Sequence, residues 1–181
     1  KSQPSLPPAY IISTDTAAYH LLPDASLQVM ADPGEKMGLA GAIASDRFQY
    51  NNQKVNYKNH VYWLRFRLAN NMAKEISIAL PEQAFHADLF TRIRDGEWEH
   101  HITGAGVPWK QREGLKRIPA FTLRIPPGDT ITLYKRVSWN FADAQPDIMQ
   151  VALSFTEKLV QHNYVEDEYH YMTAIQDAFL L

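Results

Sequence analysis

The chain contains no cysteine, so a disulfide framework, a thiolate metal site and a cysteine nucleophile are all excluded. Long apolar runs are missing too. No stretch approaches the roughly 18 residues expected of a membrane span, and no signal-like apolar segment follows Lys1, so a soluble, excised or processed piece is expected. An excess of positive charge is also absent. The formal net charge is -2, which argues against nucleic acid as the main partner, because phosphate binding needs a net or strongly clustered positive field. A local basic patch stays open. The signatures of a nucleophile elbow, a phosphate loop, a zinc-protease histidine pair and a Rossmann turn are all missing. Gly104-Ala105-Gly106 is too short and too poorly placed to cradle a phosphate. A non-enzyme without a cofactor is therefore expected, although two carboxylates far apart in the chain leave no local signature.

What is present describes a folded domain. The 181 residues, 45% hydrophobic and 21% charged, suffice for one domain with a sizeable core. The clearest stretch is Val61 to Asn70, where Tyr62, Leu64, Phe66 and Leu68 alternate with Trp63, Arg65, Arg67 and Ala69. Period two marks a strand with one core face and one face for water or a ligand. With it, eight to ten short strands in all are expected at regular spacing. They include Ser26 to Met30, Glu75 to Leu80, Phe85 to Arg94, Glu97 to Thr103, Pro119 to Ile125, Thr130 to Ser138 and Ile148 to Phe155. Such spacing predicts an all-β, antiparallel β-sandwich or jelly roll.

Three other segments complete the organisation. Residues 1–9 read as a flexible, proline-bearing lead-in, residues 10–155 as the sandwich, and residues 156–181 as a helical tail. The tail lacks Gly and Pro and spaces Leu159, Val165, Tyr169, Met172, Ile175 and Phe179 for a helix that should dock somewhere. Leu39 to Phe48 reads as a short helix or an irregular crossover. Asp95-Gly96 reads as a two-residue hairpin turn, which sets Arg94 opposite Glu97, Arg92 opposite Glu99, Ile93 opposite Trp98 and Leu89 opposite Ile102.

Candidate sites follow from these faces. Glu97, Glu99 and His101 share a strand face and resemble metal ligands, yet the expected register hands the two glutamates to Arg94 and Arg92. An ion-pair ladder is preferred, and no metal site is expected. His100 points the other way and should be packed. Trp63, Arg65 and Arg67 share a face that Tyr134 and Arg136, with Thr132, are expected to join, and that Arg124 could extend. Flat rings with bidentate donors suit a sugar, whose C–H faces stack on rings and whose hydroxyl or carboxylate groups accept from arginine. The same face would equally serve as the solvated outside of a sandwich, or lie beneath Leu39 to Phe48 or the tail. Trp109, in a polar loop beside Lys110 and Arg112, is either a ligand contact or an end plug of the core, and Trp139-Asn140-Phe141 poses the same choice.

The order of segments resembles a known family. Tyr62-Trp63-Leu64-Arg65-Phe66, Ile76 to Pro81, Ala87-Asp88-Leu89-Phe90 before Gly96, Phe121-Thr122-Leu123, Pro127-Gly128-Asp129-Thr130 and Leu133-Tyr134 carry the likeness. It is to the second type of extracellular domain of bacterial seven-transmembrane receptors with diverse intracellular signalling modules. The resemblance covers roughly Tyr10 to Phe155 and implies a jelly roll similar to carbohydrate-binding modules, on the periplasmic side of the inner membrane. It also implies seven following membrane helices and a cytoplasmic histidine kinase or cyclic-nucleotide output. The long acidic tail departs from that pattern. A ligand-sensing domain for a carbohydrate-like molecule, or one that meets another receptor as a homodimer, is the implied role. The alternatives are a carbohydrate-binding module of a secreted enzyme and a dimerisation domain with no small ligand.

Overall fold

The computed structural model describes residues 5–14, 20–51, 55, 61–115, 119–139 and 149–161. The strands, in chain order, are β1 (Tyr10–Ile12), β2 (His20–Leu21), β3 (Leu27–Ala31), β4 (Gln49–Tyr50), β5 (Val61–Asn70), β6 (Ile76–Pro81), β7 (His86–Ile93), β8 (Glu99–Thr103), β9 (Ala120–Ile125), β10 (Thr130–Ser138) and β11 (Ala152–Phe155). One short helix, α1 (Leu39–Ala44), interrupts them. They form two sheets. The larger runs β4-β3-β5-β10-β7-β8 and the smaller β2-β11-β6-β9, giving the expected all-β sandwich.

β5 and β10 form the spine of the large sheet, paired antiparallel from Val61↔Ser138 to Ala69↔Thr130. Length is what lets β5 organise the rest. β3 occupies its free edge at Tyr62 to Phe66, and β1 takes the same edge further on, from Leu68 to Asn70. The β1 pairing is parallel, one departure from the antiparallel expectation. At the end of β5, the buried Asn70 side chain donates to the carbonyls of Lys74 and Ile125 at 2.8 and 2.9 Å and accepts from Met72 N–H at 2.8 Å. This ties the strand end to the start of β6 and the end of β9.

The core lies between the sheets. Leu64, Phe66, Leu68 and Leu133 from the large sheet meet Ile78, Leu80, Phe121 and Leu153 from the small one, all at most 1% exposed. Transfer of such side chains from water contributes about 1.5–3 kcal/mol each, which is why period two was so visible in β5. Met149, Val151, Leu153 and Phe155 all enter this core, as their alternation predicted, although regular pairing starts only at Ala152.

The Asp95-Gly96 turn is corrected. The bend is Ile93-Arg94-Asp95-Gly96, closed by Gly96 N–H donating to Ile93 O at 3.1 Å, with Arg94 at φ 52°. Pairing of β7 with β8 then sets Thr91 opposite Glu99, Phe90 opposite His100 and Leu89 opposite His101, one residue out from expectation. A one-residue slip exchanges faces. The Arg–Glu ladder therefore does not form: Arg94 instead binds Asp129 Oδ1 through Nε at 2.8 Å and Nη2 at 2.6 Å. His101 lies between Glu113, at 2.7 Å, and Glu99, at 3.7 Å.

Two further segments cover the outer faces. α1 is too short to persist alone and is held by packing. Ala42 is buried against a second cluster of Met30, Phe48, Trp63 and Tyr134 on the outer face of the large sheet, and Leu39 and Ile43 pack beside it. On the opposite side of the sandwich, residues 156–161 are helical. Leu159 is buried against Ala79 and Ala120, where small side chains leave room for it, and Ser77 Oγ bonds Thr156 Oγ1 at 2.9 Å. The start of the tail thus docks on the small sheet. The rest of the tail, with most of the expected helix and its acidic patch, lies outside the described residues. The lead-in is less idle than expected, because Pro7 is buried. Among the described residues no helix is long and apolar enough to cross a membrane.

Candidate functional site

Antiparallel pairing arranges the outer face of the large sheet in rows across β5, β10 and β7. Arg67, Thr132 and Arg92 make one row, Arg65, Tyr134 and Phe90 the next, and Trp63, Arg136 and Asp88 the third. Five of the seven expected site residues, Trp63, Arg65, Arg67, Tyr134 and Arg136, are thereby brought onto one face. Their accessibility differs sharply along it.

The third row is closed. Trp63 is 0% exposed beneath α1 and lies 5.9 Å from the Phe90 ring. Phe90 in turn stacks on His100, ring centroids 4.4 Å apart and planes within 7°; the slipped register puts His100 on this outer face, its side chain 44% exposed, where the expected register had turned it to the buried side. Asp88 gathers His100 Nε2 at 2.9 Å, His86 Nε2 at 3.3 Å and Arg136 at 3.6 Å. Arg136 also donates to Glu35 O at 3.1 Å. No set of three or more His, Asp or Glu side chains among the described residues is arranged to hold a metal ion.

The middle row is saturated. Arg65 is 2% exposed, donates through Nε to Gln28 Oε1 at 2.6 Å and through Nη2 to Ser5 O at 3.2 Å, and lies 4.3 Å over the Phe48 ring. Each of those contacts satisfies the guanidinium from within the protein. Tyr134 is buried between Phe48, at 6.1 Å, and Trp98, at 5.5 Å, both meeting it edge-on.

The first row is open. α1 ends before it, leaving a cleft of about 430 Å³ lined by Arg67, Arg92, Thr132, Trp98, Tyr134, Ile43, Ser5 and Leu6. That volume lies within the range of small-molecule sites, about 300–1,000 Å³. The two guanidiniums carry the chemistry. The Nε atoms of Arg67 and Arg92 are both buried and both lack a hydrogen-bond partner. A buried, unpaired charged donor costs more than a lost neutral hydrogen bond, so these two arginines are the least satisfied groups on this face. Arg92 lies 4.7 Å over the Trp98 ring, which holds its plane but supplies no oxygen. No Asp or Glu is among the cleft's described lining residues, so a chain of net charge -2 carries a local basic patch here.

Two expected site residues lie elsewhere. Arg124 is on β9, on the outer face of the small sheet opposite Ser77, its side chain 82% exposed and 3.9 Å from Glu75. The expectation that it extends the ligand face is corrected, because β9 belongs to the other sheet. Trp109 is 55% exposed in the loop after β8. That loop is stitched to the residues before β7 by Ala105 N–H to Ala84 O and Gly106 N–H to Phe85 O. Gly104, at φ 137°, permits the approach, since a Cβ there would lie 2.6 Å from Phe85 O. Arg92 is at the far end of β7, roughly 20 Å away at about 3.3 Å per residue, so Trp109 is no part of the cleft. Of the Trp139-Asn140-Phe141 group, only Trp139 is described, and it packs against the main core.

Arg92 and Trp98 were missed. Placing Asp95-Gly96 at the turn gave Arg92 to Glu99 and sent Trp98 to the core side. The observed slip brings Trp98 out beside Arg92 and over Tyr134. A signal existed in β7 itself, where Asp88, Phe90 and Arg92 alternate with the buried Ala87, Leu89 and Thr91.

Comparison with known proteins adds one match. The family model described as 7TMR-DISM extracellular 2 matches residues 24–148, from the turn before β3 to just before Met149. No curated protein matches the chain.

Proposed function

The chain belongs to the 7TMR-DISM extracellular 2 family, an extracellular sensor portion of membrane receptors, and from that premise we propose that it is a periplasmic domain sensing a carbohydrate-like ligand that carries an acidic group. The observation that carries this reading is the pair of arginines, Arg67 and Arg92, on the wall of one cleft with no Asp or Glu among its described lining residues. A carboxylate or sulfate in the cleft would pair with the two guanidinium groups that line it, with Thr132 between them in the row. Trp98, only partly buried, offers ring surface for the C–H face of a sugar. Arg65, expected to bind ligand, instead acts behind the cleft by holding Ser5 along its rim. Trp63 and Arg136 support the sheet face.

Signal passage is part of the proposal. The cleft is on the outer face of the large sheet, and the tail begins on the outer face of the small one. Occupancy shifts the population of tail placements, and the tail leads toward membrane helices and an output such as a histidine kinase.

Thermal melting with oligogalacturonate, compared with a neutral galactose oligomer, tests this reading. Oligogalacturonate at about 100 times its Kd should stabilise the domain by roughly 2.7 kcal/mol, the neutral oligomer by less, and Arg67→Ala with Arg92→Ala should abolish the gain. A ligand shift that persists in the double variant overturns the cleft as the site. Equal shifts from both oligomers overturn the acidic group.

A further inference from the structure

The inward face of β10 contains one residue out of keeping with its neighbours. Ile131, Leu133 and Val137 point into the core, and Lys135 sits among them, paired across the sheet with Leu64 on one side and Leu89 on the other. Its ammonium is 2.8 Å from Glu82 Oε2, with the side chains 5% and 6% exposed. Glu82 is well supplied, since its Oε1 also accepts from the N–H groups of Gln83 at 2.9 Å and Ala84 at 2.8 Å. Lys135 is not. An ammonium has three donors, and Glu82 is its one hydrogen-bond partner among the described residues.

A buried ion pair is at best near break-even against apolar residues of the same size, so its place in the core calls for a reason. The pair does not lie in close-packed interior. It forms one wall of a second cavity, about 390 Å³, between the sheets and apart from the arginine cleft. The other walls are largely apolar: Leu64, Val137, Met149, Trp139 and Leu21, the last 58% exposed. A largely apolar lining with a few polar groups is the layout of a small-molecule site. Glu82 already balances the charge of Lys135, and its carboxylate would repel an anion.

We propose that this inter-sheet cavity is a second ligand site, for an uncharged amphiphile whose carbonyl or hydroxyl oxygen accepts from Lys135 Nζ while its hydrocarbon part lies against Leu64, Val137 and Met149. Gln150 and Ala152, which also line it, lead through β11 into the helix at 156–161. Such a ligand would therefore act on the strand that carries the tail.

Methyl NMR titration of the full chain with hexan-2-one provides the test, with hexanoate as the charged counterpart. Saturable shifts confined to Leu64, Val137 and Met149, with hexanoate weaker, are expected. The Lys135→Met, Glu82→Gln double variant keeps an acceptor for the Gln83 and Ala84 N–H groups and leaves no charge stranded. It should bind hexan-2-one about tenfold more weakly, the loss of a hydrogen bond from a charged donor. Val137→Phe, which fills the cavity, should abolish the shifts. Non-saturating shifts, shifts on Ile43 and Thr132 in place of the cavity methyls, or hexan-2-one affinity unchanged in the double variant overturn the proposal. Tighter binding of hexanoate overturns the uncharged class.

Discussion

The two faces of the large sheet are both substantially buried, yet by different chemistry. On the inner face of β5, Tyr62, Leu64, Phe66 and Leu68 meet a second sheet that covers them along their length. On the outer face, Trp63 and Arg65 are covered by a six-residue helix and a strip of chain, and the cover stops before Arg67. Burial by a sheet is continuous, whereas burial by a short segment has an edge. The cleft is that edge, and it falls where two guanidiniums flank a threonine.

The contrast can be broken from the inside first. Phe66→Ala, at a site fully enclosed by both sheets, should lower unfolding free energy by about 3–5 kcal/mol, as measured by urea titration, and should affect any ligand only through loss of fold. Ala42→Met tests the cover. Overpacking there should cost about 1–3 kcal/mol, because Ala42 is buried against the outer cluster. If α1 lifts, quenching by acrylamide should rise as Trp63 becomes accessible; unchanged quenching would mean that α1 does not shield Trp63.

The edge itself should behave in the opposite way. Arg67→Ala with Arg92→Ala removes two unpaired donors and should leave unfolding free energy within roughly 1 kcal/mol of the parent, while the response to oligogalacturonate disappears. A large loss of stability would mean that these arginines hold the sheet and are not awaiting a ligand. The smallest effect is expected at the hairpin. Arg94 is 76% exposed where it meets Asp129, so Arg94→Ala should cost about 0–1 kcal/mol, and less at 1 M salt than at low salt.

Much of the sandwich was legible in the chain because period two records which side chains leave water. β10 was read with its bounds unchanged, and β5 with both of its faces. What was less legible depended on partners distant in sequence. Arg65 reads as a ligand donor on paper, but it donates instead to Gln28 and Ser5, 37 and 60 residues away. Arg124 has the alternation of a face residue, yet nothing local assigns β9 to the smaller sheet. The hairpin failed for a narrower reason. Asp-Gly is a strong turn pair, but Arg94 adopts the positive φ, and Gly96 only closes the bend. Lys135 was not singled out in the chain, although it breaks the Ile131, Leu133, Val137 pattern, and its meeting with Glu82 explains how a charge can sit there.

The sequence by itself determined the class of fold, the core face of each long strand and the family, because alternation and segment order are properties of the chain read in one dimension. Only the tertiary structure decided which arginines find partners within the protein and which keep an unpaired Nε. Hydrogen-bond satisfaction depends on where α1, the lead-in and the slipped hairpin come to rest. Those positions are set by packing across the whole domain.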